Sequence, residues 1–401
     1  MPAVSVSPVS SVAEALDRWR ADDHVQVLRG EFLGVLATVP DPRDARGRRY
    51  PLGALLAIAV LATAAGMRGY AGFATWARTA PEEVLAQLGV RYRRPSEKTF
   101  RAVFSRVDPD DLNRRLGAHF TAHVTRLDPA GLVPIALDGK TLRGALRAGA
   151  GATHLVSVFA HRARLVLHQL AVAEKSNEIP CVRALLKLLP RRVRWLVTVD
   201  AMHTQTATAK LICTTLRSHY LMIVKSNQAK LLARITALPW ADVPVVATDD
   251  TRGHGRVERR TLQILTTARG IGFPHAEQII RITRERLITA TDRRSVEIVH
   301  AICSLPFEHA RPATIADWLR QHWGIENRVH WVRDVTFDED RHHARTGSSA
   351  QVLATLRNTA INLHRLDGAD NIAEACRITA LTANRRLDLL NPRNPSSRAC
   401  S

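Results

Sequence analysis

The chain has 401 residues, 46% of them hydrophobic, and carries 57 Lys and Arg against 37 Asp and Glu, a formal net charge of +20. That apolar share excludes an intrinsically disordered protein and can fill two or three domains. The positive excess is spread along the chain, which points to a polyanionic partner, nucleic acid first, although an Arg-rich coding background is the bland alternative. Cys181, Cys213, Cys303, Cys376 and Cys400 are scattered and lack Cys-x-x-Cys spacing, which argues against structural zinc and for a reducing cytoplasm. Residues 1–12 lack the charged and apolar regions of a secretory leader, so the expectation is a cytoplasmic, nucleoid-associated protein that no membrane holds.

Residues 1–49 read as an N-terminal segment and linker, with a short helix over 11–20 and a polar stretch over 41–49. Pro51 then suits a first helical turn. The run 50–67 has no charge and nearly the length of a membrane span, but it is Ala-rich and broken by Pro51, Gly53 and Gly66, so it reads as a buried helix. Helical spacing continues through Phe73, Trp76 and Ala77, then Val84, Leu85 and Leu88. Ser96 is placed to cap a helix carrying Phe100, Val103 and Phe104. Residues 50–128 thus form a helical domain with basic edges at Arg91, Arg93 and Arg94. It either binds DNA or packs as a cap on the next domain, and the sequence leaves both open.

From residue 129 the pattern changes. Short apolar runs over 132–138, 155–160, 165–173, 195–200 and 220–224 read as strands, with helices over 179–189 and 206–217 between them. Three early strands followed by strands alternating with helices give an α/β fold, a mixed sheet with helices on both faces in the ribonuclease-H-like order. The first and fourth strands are then neighbours. Four more strands over 245–248, 256–266, 278–286 and 297–304 form a β-rich insertion, about 231–312, before the last catalytic helix. That helix starts near 314, another covers 351–366, and the catalytic domain runs over 129–390 before a flexible tail at 391–401.

Asp138 and Asp200 end strand-like runs, and Glu326 lies on the last of these helices. Two carboxylates at strand ends and one on a helix can hold two divalent ions, Mg²⁺ or Mn²⁺, because hard carboxylate oxygens select hard cations and a metal pair serves phosphodiester chemistry. His322, Glu326 and His330 are four residues apart and Arg333 follows Glu326 by seven, which puts all four near one helix face, suited to gripping a phosphate beside a metal. The same spacing leaves open a zinc site. Lys140 and Arg143 follow Asp138 and either hold DNA phosphates or offset the acids. His203 and Gln205 follow Asp200, and Lys225 opens a polar loop after the fifth strand; a structural role is the alternative for each. Asp334 is a reserve third ligand, and Asp338, Glu339 and Asp340 are expected to be solvated or paired with Arg341 and Arg345.

Four ordered motifs, Asp-Gly-Lys-Thr-Leu-Arg-Gly at 138–144, Glu-Lys-Ser-Asn-Glu-Ile at 174–179, Val-Asp-Ala-Met-His-Thr-Gln at 199–205 and His-Trp-Gly-Ile-Glu-Asn at 322–327, resemble the H-repeat-associated group of DDE-type insertion-sequence transposases. The resemblance extends to Trp331, Asp334 and residues 337–340, and to the helical part before residue 129. It implies a Mg²⁺-dependent enzyme with Asp138, Asp200 and Glu326 as catalytic, metal-binding residues. Such an enzyme cuts at terminal inverted repeats, frees a 3′-hydroxyl, joins it to target DNA and acts as a homodimer on DNA. Related transposases carry Tyr, Arg and Lys at the positions held here by Leu319, His322 and Arg333. A nuclease without strand transfer, or an inactive DNA-binding copy, are the competing readings.

Overall fold

The computed structural model describes residues 32–91, 93–127, 131–145, 153–172, 177–253, 255–266, 271–344, 346–382 and 387–390. The helix expected over 11–20 and the tail over 391–401 lie outside the described residues.

After a helical segment over 32–37, five helices follow: α1 (Leu52–Ala64), α2 (Gly69–Thr79), α3 (Glu82–Gln87), α4 (Glu97–Phe104) and α5 (Pro109–Leu127). Every residue of α1 is buried, as befits a helix apolar on all sides. Gly66, at φ +77°, ends it: Gly66 and Met67 N–H groups donate back to Thr63 and Ala62 carbonyls, a left-handed termination that suits glycine. Ser96 caps α4 as expected, accepting from Thr99 N–H at 3.3 Å. No single described helix is long and apolar enough to cross a membrane, and α1 with α2 passes that test only as a pair bent by 98°.

The sheet has nine strands in the order β3-β2-β1-β4-β5-β9-β8-β7-β6. The first five, β1 (Leu132–Thr141), β2 (His154–Ala160), β3 (Leu165–Ala171), β4 (Arg194–Val199) and β5 (His219–Val224), match the expected runs closely and give the ribonuclease-H-like order. β1 runs parallel to β4 and antiparallel to β2. Helix α6 (Glu178–Leu188) links β3 to β4, and α7 (Thr206–Lys210), continued by a π turn at Leu211–Thr215, links β4 to β5. After α8 (Ala229–Thr236), the strands β6 (Val245–Gly253), β7 (Arg256–Leu265), β8 (Gln278–Ile288) and β9 (Arg293–Cys303) come where the insertion was expected. They do not fold as a separate unit. β9 pairs antiparallel with β5, so the insertion lengthens the sheet itself.

Alternation assigns the two faces. Val133, Ile135 and Leu137 of β1, with Trp195, Val197 and Val199 of β4, enter the main core with α1, α5, α6 and the long buried helix α11 (Ser349–Leu366). Leu196 and Leu221 point the other way, onto Ile315 and Trp318 of α9 (Pro312–His322). Ala136 and Phe159 meet Ile325 and Val329 on that same side. The main core does not stop at residue 128. The helical region shares it with the sheet, Ser348 Oγ bonds the Phe104 and Val107 carbonyls, and His364 of α11 lies 2.9 Å from the Ala64 carbonyl. Packing on the sheet, the second of the two expected roles, is what this region visibly does.

The outer edge of β3 is closed by side chains. Asn362 of α11 accepts from Val166 N–H and donates to its carbonyl, and Asn113 of α5 does the same for Gln169. An amide side chain used this way mimics a neighbouring strand and removes the edge as a pairing template. Gly117 lets α5 approach so closely: a Cβ there would collide with the Leu167 carbonyl and the His168 ring. We predict that Gly117→Ala lowers stability by about 1–3 kcal/mol through overpacking against backbone, measured as a fall in Tm and in the urea midpoint.

Candidate active site

Asp138 lies two residues beyond Ala136 on β1, and Asp200 two beyond Thr198, whose pairing partner is Ala136. Period two therefore points both carboxylates to the α9 side of the sheet, just past the last parallel pair, Leu137 and Val199, with β1 itself running on to Thr141. Between α9 and α10 (Trp331–Val335) the chain makes a π turn at Glu326–His330 that carries Glu326 on the same side. Ile325 and Val329 anchor this turn in the core, leaving Glu326 exposed. Asp138 is half-buried, and its carboxyl is pushed up to about 6 by burial and by the negative charges of Glu326, Glu178 and Asp200, against one backbone hydrogen bond from Gly139 that lowers it. The three expected acids are thus close enough to feel one another.

The imidazoles around them are neutral at physiological pH. Burial pushes His330 down to about 3, and its Nδ1 lies 3.5 Å from Asp138 Oδ2, a contact between a carboxylate and an uncharged ring. His322, pushed by burial to about 4, places Nδ1 at 2.9 Å from Thr198 Oγ1. Thr198 gives its hydroxyl hydrogen to the Ile135 carbonyl at 3.0 Å, so His322 must be the donor to Thr198. That fixes Nδ1 as protonated and leaves Nε2 as an acceptor.

The π turn separates residues that a regular helix would align. A π turn closes i→i+5 bonds and shifts the residues after it around the axis. Glu326 faces out, His330 turns to Asp138, and His322 turns to Thr198, so the His-x₃-Glu-x₃-His run does not converge as a zinc site. Arg333 is turned fully inward. It is 0% exposed and, with Arg357 of α11, grips Glu339, the Arg333 and Arg357 contacts standing at 2.8 and 2.7 Å. The phosphate-gripping role expected of Arg333 has no surface to act through. Glu339, expected in solvent or paired with Arg341 and Arg345, is instead buried on Arg333 and Arg357: burial would raise its carboxyl, but the two guanidinium groups outweigh it and hold it at about 2.

Other expected residues fall into two sets. Lys140 is buried and bonds Asp334 at 2.7 and 2.6 Å, which commits both side chains to each other and removes Asp334 as a reserve ligand and Lys140 as a free phosphate contact. His203 is 2% exposed and contacts Glu178 at 3.2 Å, so it lines the interior and not a DNA surface. Arg143 is exposed, Lys225 is exposed with Nζ 3.4 Å from Asp200 Oδ1, and Gln205 is part-exposed with its amide on the Met202 carbonyl. From Asp200 a cleft of ≈ 330 Å³ runs between α9 and β6–β9, lined by Lys225, Arg260, Arg284, Arg320, His322 and Trp323. Met202, Trp323, Trp331 and Val335 are exposed hydrophobics near these acids in the chain. Glu178 and His154 are neighbours of the site; sequence reasoning met Glu178 only as the end of a polar loop over 174–178, open to ligand contact or plain turn formation, and passed over His154. The only signal was Glu178's place in a motif, next to the capping Asn177.

The donor set fits a hard divalent cation: the carboxylates cluster, one of them is raised to about 6 by burial and by its acidic neighbours, and carboxylate oxygens are the ligands such ions take. Asp138, Asp200 and Glu326 are the residues that would hold it. Among the described residues no three side chains of metal-binding type already stand arranged around one ion.

The chain belongs to the transposase DDE domain family, whose model matches residues 129–363, and a DDE_Tnp_1-associated model matches residues 33–120. It is similar to YncI of Escherichia coli O157:H7, 32% identical over 247 residues, 58% of this chain and 61% of that one. It is also similar to the H repeat-associated protein YhhI of Escherichia coli (strain K12), 31% identical over 251 residues, 57% and 63% of the two chains. The matches span less than two thirds of these relatives' lengths.

The Arg333–Glu339–Arg357 group yields a stability test. Glu339→Gln leaves two buried guanidinium groups without a counterion and should cost about 3–5 kcal/mol at pH 7. The Glu339 carboxyl sits at about 2 against an ordinary 4.5, so its contribution is full above pH 4.5 and is lost as pH falls toward 2. Urea melts of both proteins from pH 7 to pH 2.5 should therefore converge at the acid end.

Proposed function

We propose that the chain is a DNA transposase that hydrolyses phosphodiester bonds at its element's terminal inverted repeats, frees a 3′-hydroxyl and joins it to target DNA. The observation that carries this reading is the gathering of Asp138, Asp200 and Glu326 on one face of a ribonuclease-H-like sheet, in a chain of the DDE family. A pair of Mg²⁺ or Mn²⁺ ions, when bound, supplies the activation of the attacking oxygen and the stabilisation of the leaving one. Asp138, Asp200 and Glu326 are the residues that would hold these ions. No covalent enzyme intermediate is needed, since water attacks in the first step and the freed 3′-hydroxyl in the second.

The remaining residues bind and orient. Arg143 lies exposed just past the end of β1 and Lys225 lies exposed beside Asp200, where backbone phosphates flanking the scissile one would pass. The cleft beyond Asp200 takes the strand onward between α9 and the β6–β9 extension, with Trp323 offering a ring to stack on, while Arg260, Arg284 and Arg320, paired with Asp249 or Glu297 of the same cleft, would reach a phosphate by exchanging those partners. His322, with Nδ1 committed to Thr198, presents an acceptor nitrogen next to Asp200. The homodimer on DNA belongs to this same reading, since two ends must be held to be joined.

The test is cleavage and strand transfer on a labelled duplex carrying the element's own ends. Asp138→Asn, Asp200→Asn and Glu326→Gln should each reduce both steps to background in Mg²⁺ and in Mn²⁺ while DNA binding persists. Cutting without joining by the wild type would replace the reading with that of a nuclease, and binding without cutting in any ion with that of a silent DNA-binding copy. Arg143→Ala and Lys225→Ala should each weaken binding evenly across sequences and lower the log-log salt slope by about one, measured by anisotropy between low and moderate salt.

A further inference from the structure

Behind Asp138, on the opposite face of β1, stands a carboxylate that neither the triad nor the DNA-facing surface uses. Glu178 opens α6, one residue after the capping Asn177, whose side chain accepts from Ile179 N–H at 3.1 Å. Its Oε1 lies 2.6 Å from His154 Nε2 on β2, and its Oε2 lies 3.2 Å from His203 Nε2 in the turn that follows Asp200. His154 is tied in turn to β1, its Nδ1 lying 2.8 Å from Thr141 Oγ1. His203 is 2% exposed. Both carboxylate oxygens are therefore engaged, one by a strand beside Asp138 and one by the turn carrying Asp200.

Gly139 is the space this arrangement occupies. A Cβ there would fall 2.5 Å from His154 Nε2 and 2.7 Å from Glu178 Cδ and Oε1, so the residue next to Asp138 must lack a side chain for the carboxylate to sit where it does. A partly buried carboxylate brings a desolvation cost that an apolar residue would avoid, so an ion placed here merely to fill the core is a poor choice. An anion here adds to the field of the three acids and fixes the groups on either side of them.

We propose that Glu178 is a positioning residue of the active site: by clamping His154 and His203 it sets the separation of Asp138 and Asp200 and strengthens their hold on cations. The proposal rests on the reading of Asp138 and Asp200 as cation ligands. It is tested on the full chain with Glu178→Gln, Glu178→Ala and Asp138→Ala, using Mn²⁺ binding to the protein alone, followed by electron paramagnetic resonance, beside thermal melting and the cation dependence of cleavage. Glu178→Gln, which keeps the shape and loses the charge, should weaken Mn²⁺ binding by about tenfold or more and raise the half-saturating cation concentration in cleavage to match. Its maximal rate at saturating cation should stay within a few-fold of wild type, and its melting temperature should shift little; Glu178→Ala should show the larger loss. Mn²⁺ binding lost in Asp138→Ala but unchanged in both Glu178 variants would overturn the clamp alone. Mn²⁺ binding unchanged in Asp138→Ala would overturn the triad reading and the clamp with it.

Discussion

The parallel pairing of β1 with β4 is the constraint on which the site depends. Once Ala136 stands opposite Thr198, the two-residue period of a strand leaves no choice about where Asp138 and Asp200 point. A slip of one residue in either strand would turn one of these acids into the main core and move Trp195 or Ile135 to the other face, so the same apolar alternation that fills the core also aims the carboxylates. Pairing and chemistry are specified by one pattern. Helix α9 completes it, because Ile315 and Trp318 can pack only on the face that Leu196 and Leu221 present.

Around this pair the structure holds charge in two ways. Complete ionic groups stand close by: Glu339, buried between Arg333 and Arg357, ties the loop after α10 to α10 and α11, and Lys140, on the same face of β1 as Asp138, ties that strand to Asp334 of α10. Around the acids, burial first and then the charges of Glu326, Glu178 and Asp200 raise Asp138, burial keeps His322 and His330 neutral, and Lys225 stands 3.4 Å from Asp200. Neutral rings can shape the pocket and exchange hydrogen bonds without cancelling the negative potential that would attract a cation.

Much of the fold was legible because burial and alternation coincide. The nine strand expectations match strands β1 to β9, and Ser96, Phe100 and Phe104 read correctly as a cap and an apolar helix face. The break in the helix after Trp323 was not legible. Helical spacing is the same up to the π turn, and nothing in Glu326-Asn-Arg-Val-His330 announces an extra residue in the turn, so Arg333 was placed on the wrong side. Glu339 was misread for a related reason: in a run of acids beside arginines, solvation is the ordinary outcome, and only the third dimension brings Arg357, eighteen residues on, to its side. Which of its two expected roles the helical region plays was not legible, since an all-apolar helix such as α1 must be covered but does not say by what. Glu178 was visible only as part of a polar loop, because its partners His154 and His203 lie on other elements.

The measurement that bears most directly on the central claim is a crystal structure of the chain grown with Mn²⁺ and recorded at the manganese edge. The account predicts an anomalous peak between Asp138 and Asp200, with the Glu326 carboxylate turned toward the same site. Manganese bound only elsewhere, at Asp249 or between Asp334 and Asp340, or no peak at Asp138 at all, would contradict it.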